Sequence, residues 1–249
     1  MKKQIIVIII LLVIIAIDSK GQNQSSVLKK DGIEQKDFRT KAAVFHKKLS
    51  EQLKPQILDA RSAEEFDQAH LPQAIQIDPT VEDYERQLDR FIKSEPVFIY
   101  SIQIGRSTQV ANLLAERGFE TIYVLAPGIS AWIGAGYPVE VSVQNKNRIV
   151  LDDFKTILKS QEYVLVDFGS NYCPPCKKVI PVLDSLNSRS NHNIKTVLIE
   201  IDANPDIIKD FKITSIPTLI LYKDGEPIWK KIGVPTVEEI VGASVKQGF

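Results

Sequence analysis

Two consecutive α/β domains are predicted for this 249-residue chain by three observations. Short apolar runs of strand length alternate with amphipathic helical stretches, the pattern of a parallel sheet covered on both faces. That alternation stops over residues 141–147, which are rich in Asn, Gln and Ser, and then restarts, which marks a domain boundary. The length also lets each half bury its own core without metal or disulfide staples.

The N-terminus stands apart. Lys2 and Lys3 precede an unbroken apolar run, 5–17, and a polar stretch, 18–26, follows it, which is the layout of a secretory signal peptide. The run is shorter than the ~20 apolar residues of a spanning helix. An uncleaved membrane anchor is the second reading; a buried core helix is disfavoured because the run is apolar on every face. Ser19 and Gly21 place cleavage before Gln22, so 1–21 is read as signal peptide and 22–37 as a flexible linker. No Cys follows the run, which argues against a lipid-anchored lipoprotein.

The first domain is expected over 38–142. A helix at 38–53 leads to a strand at 56–59, then a helix at 62–69, a strand at 74–77 and a helix at 81–92. A strongly apolar strand, 96–100, is followed by a loop ending at Arg106 and a helix at 107–117 closed by Gly118. A strand at 121–125 and a helix at 129–134 complete this half. The second domain, 143–249, begins with a helix at 151–160 and a strand at 163–168, then turns through Cys173-Pro174-Pro175-Cys176 into a helix reaching about Asn187. A strand at 196–202, a helix at 206–211, two strands at 218–222 and 227–232 and a helix at 236–243 follow. Lys223-Asp224-Gly225 between the last two strands is a hairpin signal.

Composition narrows the function classes. With 31 basic and 31 acidic residues, the chain lacks the basic balance that nucleic-acid binding requires. Its only two cysteines stand three apart, so they serve chemistry or metal rather than long-range stapling. A zinc site is disfavoured, since it needs four ligands and the three histidines, His46, His70 and His192, are scattered. A structural disulfide closing so small a loop stabilises little. A CxxC between strand and helix is instead suited to redox work: the spacing holds two thiols in reach, and amides at the helix start favour a thiolate on the first. Cys173 is then the exposed nucleophile and Cys176, one turn in and less exposed, the resolving thiol, with exchange passing through a mixed disulfide. The two prolines suit the first turn, where a missing N–H costs little.

Residues 148–249 resemble a thioredoxin domain. The carriers are Val164-Leu165-Val166-Asp167-Phe168, Tyr172 with the Cys-Pro-Pro-Cys run and Lys177, Ile201-Asp202, Asn204-Pro205, and Ser215-Ile216-Pro217-Thr218. The resemblance implies a cis peptide before Pro217, lying against the cysteines with the backbone of Ile216 available to substrate. It also implies that Asp167 is a buried carboxylate handling the resolving cysteine's proton. Two positions depart from the family: Tyr172 replaces a tryptophan, and Leu198 replaces the lysine that pairs with the carboxylate. Without that cation, the Asp167 pKa is expected to be raised.

Residues 38–140 resemble a rhodanese-like domain. The carriers include Ile57-Leu58-Asp59-Ala60-Arg61, Glu65-Phe66, Ala69-His70-Leu71-Pro72, Gly105-Arg106-Ser107 and Gly128-Ile129-Ser130-Ala131-Trp132. The family's sulfur-carrying cysteine is replaced by Ser101, and the following loop is Ile102-Gln103-Ile104-Gly105. A hydroxyl cannot form a persulfide, so the site of Ser101 and Arg106 is expected to be silent in sulfur transfer. Asp59, Arg61 and Arg106 are expected to form one internal polar network, His70 to be a hydrogen-bonded turn residue and Trp132 a core residue. Two isoleucines in an expected surface loop, 102–104, invite a partner contact.

The resulting expectation is an exported, periplasmic protein, soluble or anchored to the inner membrane, touching the membrane only through its signal or anchor. It would reduce or isomerise disulfides of other exported proteins, with no cofactor beyond the Cys173/Cys176 pair. A membrane-embedded dithiol protein would be its electron partner. Ile216 before Pro217 favours a reductase or isomerase over a disulfide donor. A client-binding, chaperone-like adaptor with redox-sensing thiols is the rival reading; sulfur relay is opposed by Ser101.

Overall fold

The computed structural model describes residues 27–30, 33–141, 148–189 and 193–245; the signal-peptide reading and most of the expected boundary segment lie outside them. Strands β1 (Val27–Lys30) and β2 (Ile33–Lys36) pair antiparallel, within the 22–37 segment expected to be a flexible linker. They belong to a unit of their own, and a second compact unit runs from Phe38 onward.

The first domain of that second unit opens with β3 (Arg39–Lys41), not with helix as expected; α1 (Ala42–Ser50) follows. Then come β4 (Gln56–Asp59), α2 (Ala63–Gln68), β5 (Ala69–His70), β6 (Ile75–Gln76) and α3 (Tyr84–Gln87) with a single 3-10 turn behind it. The longer helix expected at 81–92 cannot start earlier because Asp83, its N-cap, sits at φ 63°, outside the helical region. Strand β7 (Val97–Tyr100), α4 (Ile104–Glu116), β8 (Ile122–Ala126), α5 (Ile129–Gly134) and β9 (Glu140–Val141) complete the domain. Strands β3, β8, β7, β4 and β6 form, in that order, a five-stranded sheet whose pairings are all parallel. β5 and β9 make a separate antiparallel pair. The residues of β7 are buried on both faces, Val97 and Ile99 packing in one apolar cluster and Phe98 and Tyr100 in the other.

The second domain contains α6 (Leu151–Ile157), β10 (Tyr163–Gly169), α7 (Pro174–Lys177), α8 (Ile180–Asn187) and β11 (Ile194–Glu200). It ends with α9 (Pro205–Asp210), β12 (Thr218–Lys223), β13 (Glu226–Ile232) and α10 (Val237–Val245). Its four-stranded sheet has the order β11, β10, β12, β13, with only the β10/β11 pair parallel. The single helix expected after Cys173 is two pieces, because Pro181 has no N–H to offer the Lys177 carbonyl one turn back. The hairpin turn falls where the sequence put it, with Asp224 at φ 51° and Gly225 at φ 88°.

The two domains share one apolar core. A single cluster runs from Ile102, Ile129, Trp132 and Ile133 of the first domain into Val166, Phe168, Cys173, Ile213 and Ile216 of the second. Helix α5 packs on α9. The approach is closest at Gly134, where a Cβ would overlap the Ile213 carbonyl of the other domain.

Gly134 therefore reports on domain docking. In a helix free of other contacts, Gly→Ala stabilises by about 1 kcal/mol. Here Gly134→Ala is expected to destabilise by about 1–3 kcal/mol through overpacking, measured by denaturant unfolding. Stabilisation would show that the two surfaces do not meet at this point.

Candidate active site

Strand β10 carries the chain into the site. Val164, Val166 and Phe168 face the core shared with the first domain, while Tyr163 and Leu165 pack toward α8 and α10. Beyond Gly169 the chain turns through Ser170, whose carbonyl accepts from the Cys173 amide at 3.1 Å. Cys173 is the N-cap of α7, and Pro174 and Pro175 occupy its first turn. The Cys173 sulfur accepts from the Cys176 amide at 3.3 Å and is disulfide-bonded to Cys176 across a Cα–Cα distance of 5.2 Å. With α7 so short, nearby amides rather than a long helix dipole supply the positive potential on this sulfur. The Ile216–Pro217 peptide is cis, as the resemblance implies, and a second cis peptide, Ala126–Pro127, was not signalled in the sequence.

The expected order of exposure is reversed. Cys173 is 0% exposed and Cys176 is 6% exposed. The cause is the first domain. Its loop after β7, expected at the surface, is turned inward: Ile102 is 4% exposed and belongs to the shared core. Gln103 Nε2 lies 3.5 Å from Cys173 Sγ and donates to the Ile216 carbonyl at 3.0 Å. Gln103 is the N-cap of α4, yet its side chain makes no bond to its own helix. Tyr172, partly buried, meets Gln68 Nε2 at 3.5 Å.

Ser101 is fully buried, and its hydroxyl is spent inside the loop. It accepts from the Ser107 amide at 3.3 Å, lies 3.0 Å from Ser107 Oγ and bonds to the Gln103 carbonyl. Arg106 does not join Asp59 and Arg61 as expected; it makes a bidentate pair with Glu65, both contacts at 2.7 Å, linking α4 to the capping box of α2. Arg61 instead bridges the domains. Fully buried, it holds Asp59 on its own side, with Nη2 at 2.6 Å, and donates through Nη1 to Asp202 of the second domain at 3.0 Å. Burial pushes the Asp202 carboxyl up to about 7 against the pull of Arg61, with the like charges of Glu65, Asp59 and Glu200 adding to the rise. His70 bonds the Phe66 carbonyl at 2.9 Å, and Trp132, 1% exposed, donates to the Pro138 carbonyl at 2.8 Å, both in the structural roles expected.

On the other side of the disulfide, Asp167 is 4% exposed, opposite Leu198 in the β10/β11 ladder. Burial first, and the nearby Glu200 second, push its carboxyl up to about 7, the direction that follows from an apolar residue at 198. Glu200 is raised for the same desolvation reason, and it accepts from the Asn171 amide at 3.3 Å. Asp167 Oδ1 and Glu200 Oε1 have no hydrogen-bond partner among the described residues. Asp167 Oδ1 and Cys176 Sγ both lie within 3.7 Å of the point a Gly169 Cβ would occupy, so carboxylate and sulfur face one small gap. A cleft of about 230 Å³ opens onto it, lined by Asp167, Ser170, Cys176 and Leu198 among others.

Sequence reasoning thus placed both cysteines, Asp167, Tyr172, Ile216 and Pro217 around one centre. It missed Gln103, Gln68, Glu200 and the pairing of Arg61 with Asp202. A polar residue between two isoleucines was the one signal for Gln103; the others are long-range contacts without a local pattern.

The thioredoxin family profile matches residues 145–246, and the rhodanese-like domain profile matches residues 42–135. The chain is 42% identical over 85 residues to a thioredoxin of Mycolicibacterium smegmatis, covering 33% of this chain and 76% of that protein. It is 40% identical over 77 residues to a thioredoxin of Mycobacterium tuberculosis (31% of this chain, 66% of that protein). It is 38% identical over 80 residues to a bifunctional thioredoxin reductase/thioredoxin of Mycobacterium leprae (32% of this chain, 18% of that protein). The chain therefore spans less than two thirds of these last two relatives. It belongs to the thioredoxin family through its second domain, and a rhodanese-like domain precedes that domain.

The carboxylate makes stability depend on pH. Folding raises the Asp167 pKa from 3.8 to about 7, so between those values the folded state holds a proton that the unfolded state releases. Stability then falls as pH rises through that window, by up to about 1.4 kcal/mol per pH unit. Asp167→Asn removes this contribution while leaving that of Asp202, so its stability relative to the unsubstituted protein should climb between pH 4 and pH 8. Denaturant unfolding across that range checks it; a difference that stays flat would contradict the assignment.

Proposed function

We propose that this protein is an exported thiol-disulfide oxidoreductase that reduces or isomerises disulfides of other exported proteins. The observation that carries the reading is the Cys173/Cys176 disulfide at a strand-to-helix turn, flanked by the cis Ile216–Pro217 peptide and backed by the buried carboxylate of Asp167. In the dithiol state, the Cys173 thiolate attacks one sulfur of a substrate disulfide and expels the other as a thiolate, which leaves a mixed disulfide. The Cys176 thiol gives its proton to the Asp167 carboxylate, and the resulting thiolate attacks Cys173 Sγ and releases the second substrate sulfur. The protein is left as the disulfide and two electrons have passed to the substrate, whose two thiolates take one proton back from Asp167 and one from solvent, where Cys173 had released its own on ionising. A carboxyl with a pKa near 7 is matched to taking and returning that proton at neutral pH.

Regeneration requires an external dithiol, and we assign that role to a membrane-embedded dithiol protein. Lys2, Lys3 and the apolar run 5–17 support export, and the periplasm is the compartment we assign, with an inner-membrane anchor as the alternative. No organic cofactor or metal has a part in the scheme. The first domain is read as silent in sulfur transfer, because Ser101 offers a buried, hydrogen-bonded hydroxyl where a persulfide would need sulfur.

Turnover on a protein disulfide substrate, driven by an excess of small dithiol, tests the reading. Cys173→Ser should abolish turnover, and Cys176→Ser should accumulate the mixed disulfide. Client affinity that survives Cys173→Ser, without turnover in the unsubstituted protein, would favour the adaptor instead.

A further inference from the structure

Resting on that reading, the structure poses a steric problem: the sulfur assigned as nucleophile is 0% exposed. Exchange requires an incoming sulfur to reach Cys173 Sγ in line, and the first domain fills that approach. Each loop framing the disulfide is held from the same side. Tyr172 meets Gln68, Asp202 meets Arg61, Thr214 O accepts from Ser130 at 3.4 Å, Ile213 abuts Gly134, and Ile216 O takes the Gln103 amide.

The chemistry of Gln103 is specific to the place it fills. A backbone carbonyl beside the reactive sulfur is an acceptor that an incoming polypeptide would satisfy with a backbone N–H. The Gln103 side chain ends in a carboxamide, the same donor group, bonded to that carbonyl and resting 3.5 Å from the sulfur. Ile102 seals the neighbouring apolar surface. None of this serves the loop's own helix, which Gln103 leaves without a side-chain cap.

We propose that Ile102 and Gln103 are an internal occupant of the substrate-docking face, so that Cys173 reacts only when the two domains part. The substrates selected are polypeptide disulfides whose extended backbone can replace Gln103 on the Ile216 carbonyl. Small disulfides lacking such an N–H react only through spontaneous opening, at a rate reduced by the open fraction. Cys176 is not under this control, because the cleft beside Leu198 reaches it from the opposite side.

Alkylation of the reduced full-length chain by iodoacetamide, with each cysteine quantified separately by mass spectrometry, tests the proposal. Cys173 should react more slowly than Cys176. Ile102→Ser combined with Gln103→Ala should raise the Cys173 rate by about tenfold or more while changing that of Cys176 less than about twofold. Gln103→Ala alone, a milder change, should move Cys173 in the same direction if the double variant fails to fold. A Cys173 rate in the unsubstituted protein that equals that of Cys176 and ignores both substitutions would overturn the cap. The two proposals fail separately. A variant whose Cys173 alkylates fast yet never exchanges with a disulfide removes the oxidoreductase reading and leaves the cap standing.

Discussion

The burial of one sulfur atom organises the molecule. Cys173 belongs to an apolar cluster to which both domains contribute, Ile102 and Trp132 from the first and Phe168 and Ile216 from the second. Burial of apolar side chains, at about 25 cal/mol per Å², is non-directional and holds the domains together without fixing their angle. The polar bonds at the edge of that cluster supply the angle. Gln103 has one target at the sulfur and one at the Ile216 carbonyl, and Gly134 permits a backbone approach that any side chain would block.

The Arg61 bridge adds electrostatic direction. A buried ion pair adds little net stability against an apolar replacement, yet breaking one leaves an uncompensated charge and costs about 3–5 kcal/mol. Arg61 is committed to Asp59 by a forked contact, to the Ala69 carbonyl at 2.6 Å and to Asp202 across the interface. Separating the domains removes the cation from Asp202 but also rehydrates that carboxylate, which is why the bridge specifies a docked geometry more than it strengthens it. Behind the disulfide, Asp167 and Glu200 have no cation of this kind among the described residues, and desolvation pushes the Asp167 carboxyl up to about 7. The front of the disulfide is thus closed by packing, while its back holds the proton.

What the sequence revealed follows from which signals are local. The Cys-Pro-Pro-Cys turn, the Asp224-Gly225 hairpin and the helix Ile129–Gly134 each rest on a pattern within a few residues, and each stands where the sequence put it. Asp167 could be read as buried because its strand neighbours are apolar. The helix expected at 38–53 hid the three-residue strand β3, whose pairing with β8 is visible only in the sheet. Ile102 looked like a surface residue because strand-to-helix loops are ordinarily exposed, and nothing nearby says that a second domain covers this one. Arg61 and Asp202 lie 141 positions apart. The inversion of exposure between the cysteines has the same origin, since it is a property of docking and not of either domain's own pattern.

The most direct test of the central claim is the reduction potential of the Cys173/Cys176 pair in the full-length chain, titrated against a defined thiol buffer. The account predicts a single two-electron transition with both cysteines changing state together, at or below about −180 mV and well below the about −120 mV of a strong oxidant. A pair that fails to exchange at any poise, or one that titrates near the oxidising end of that range, would contradict it.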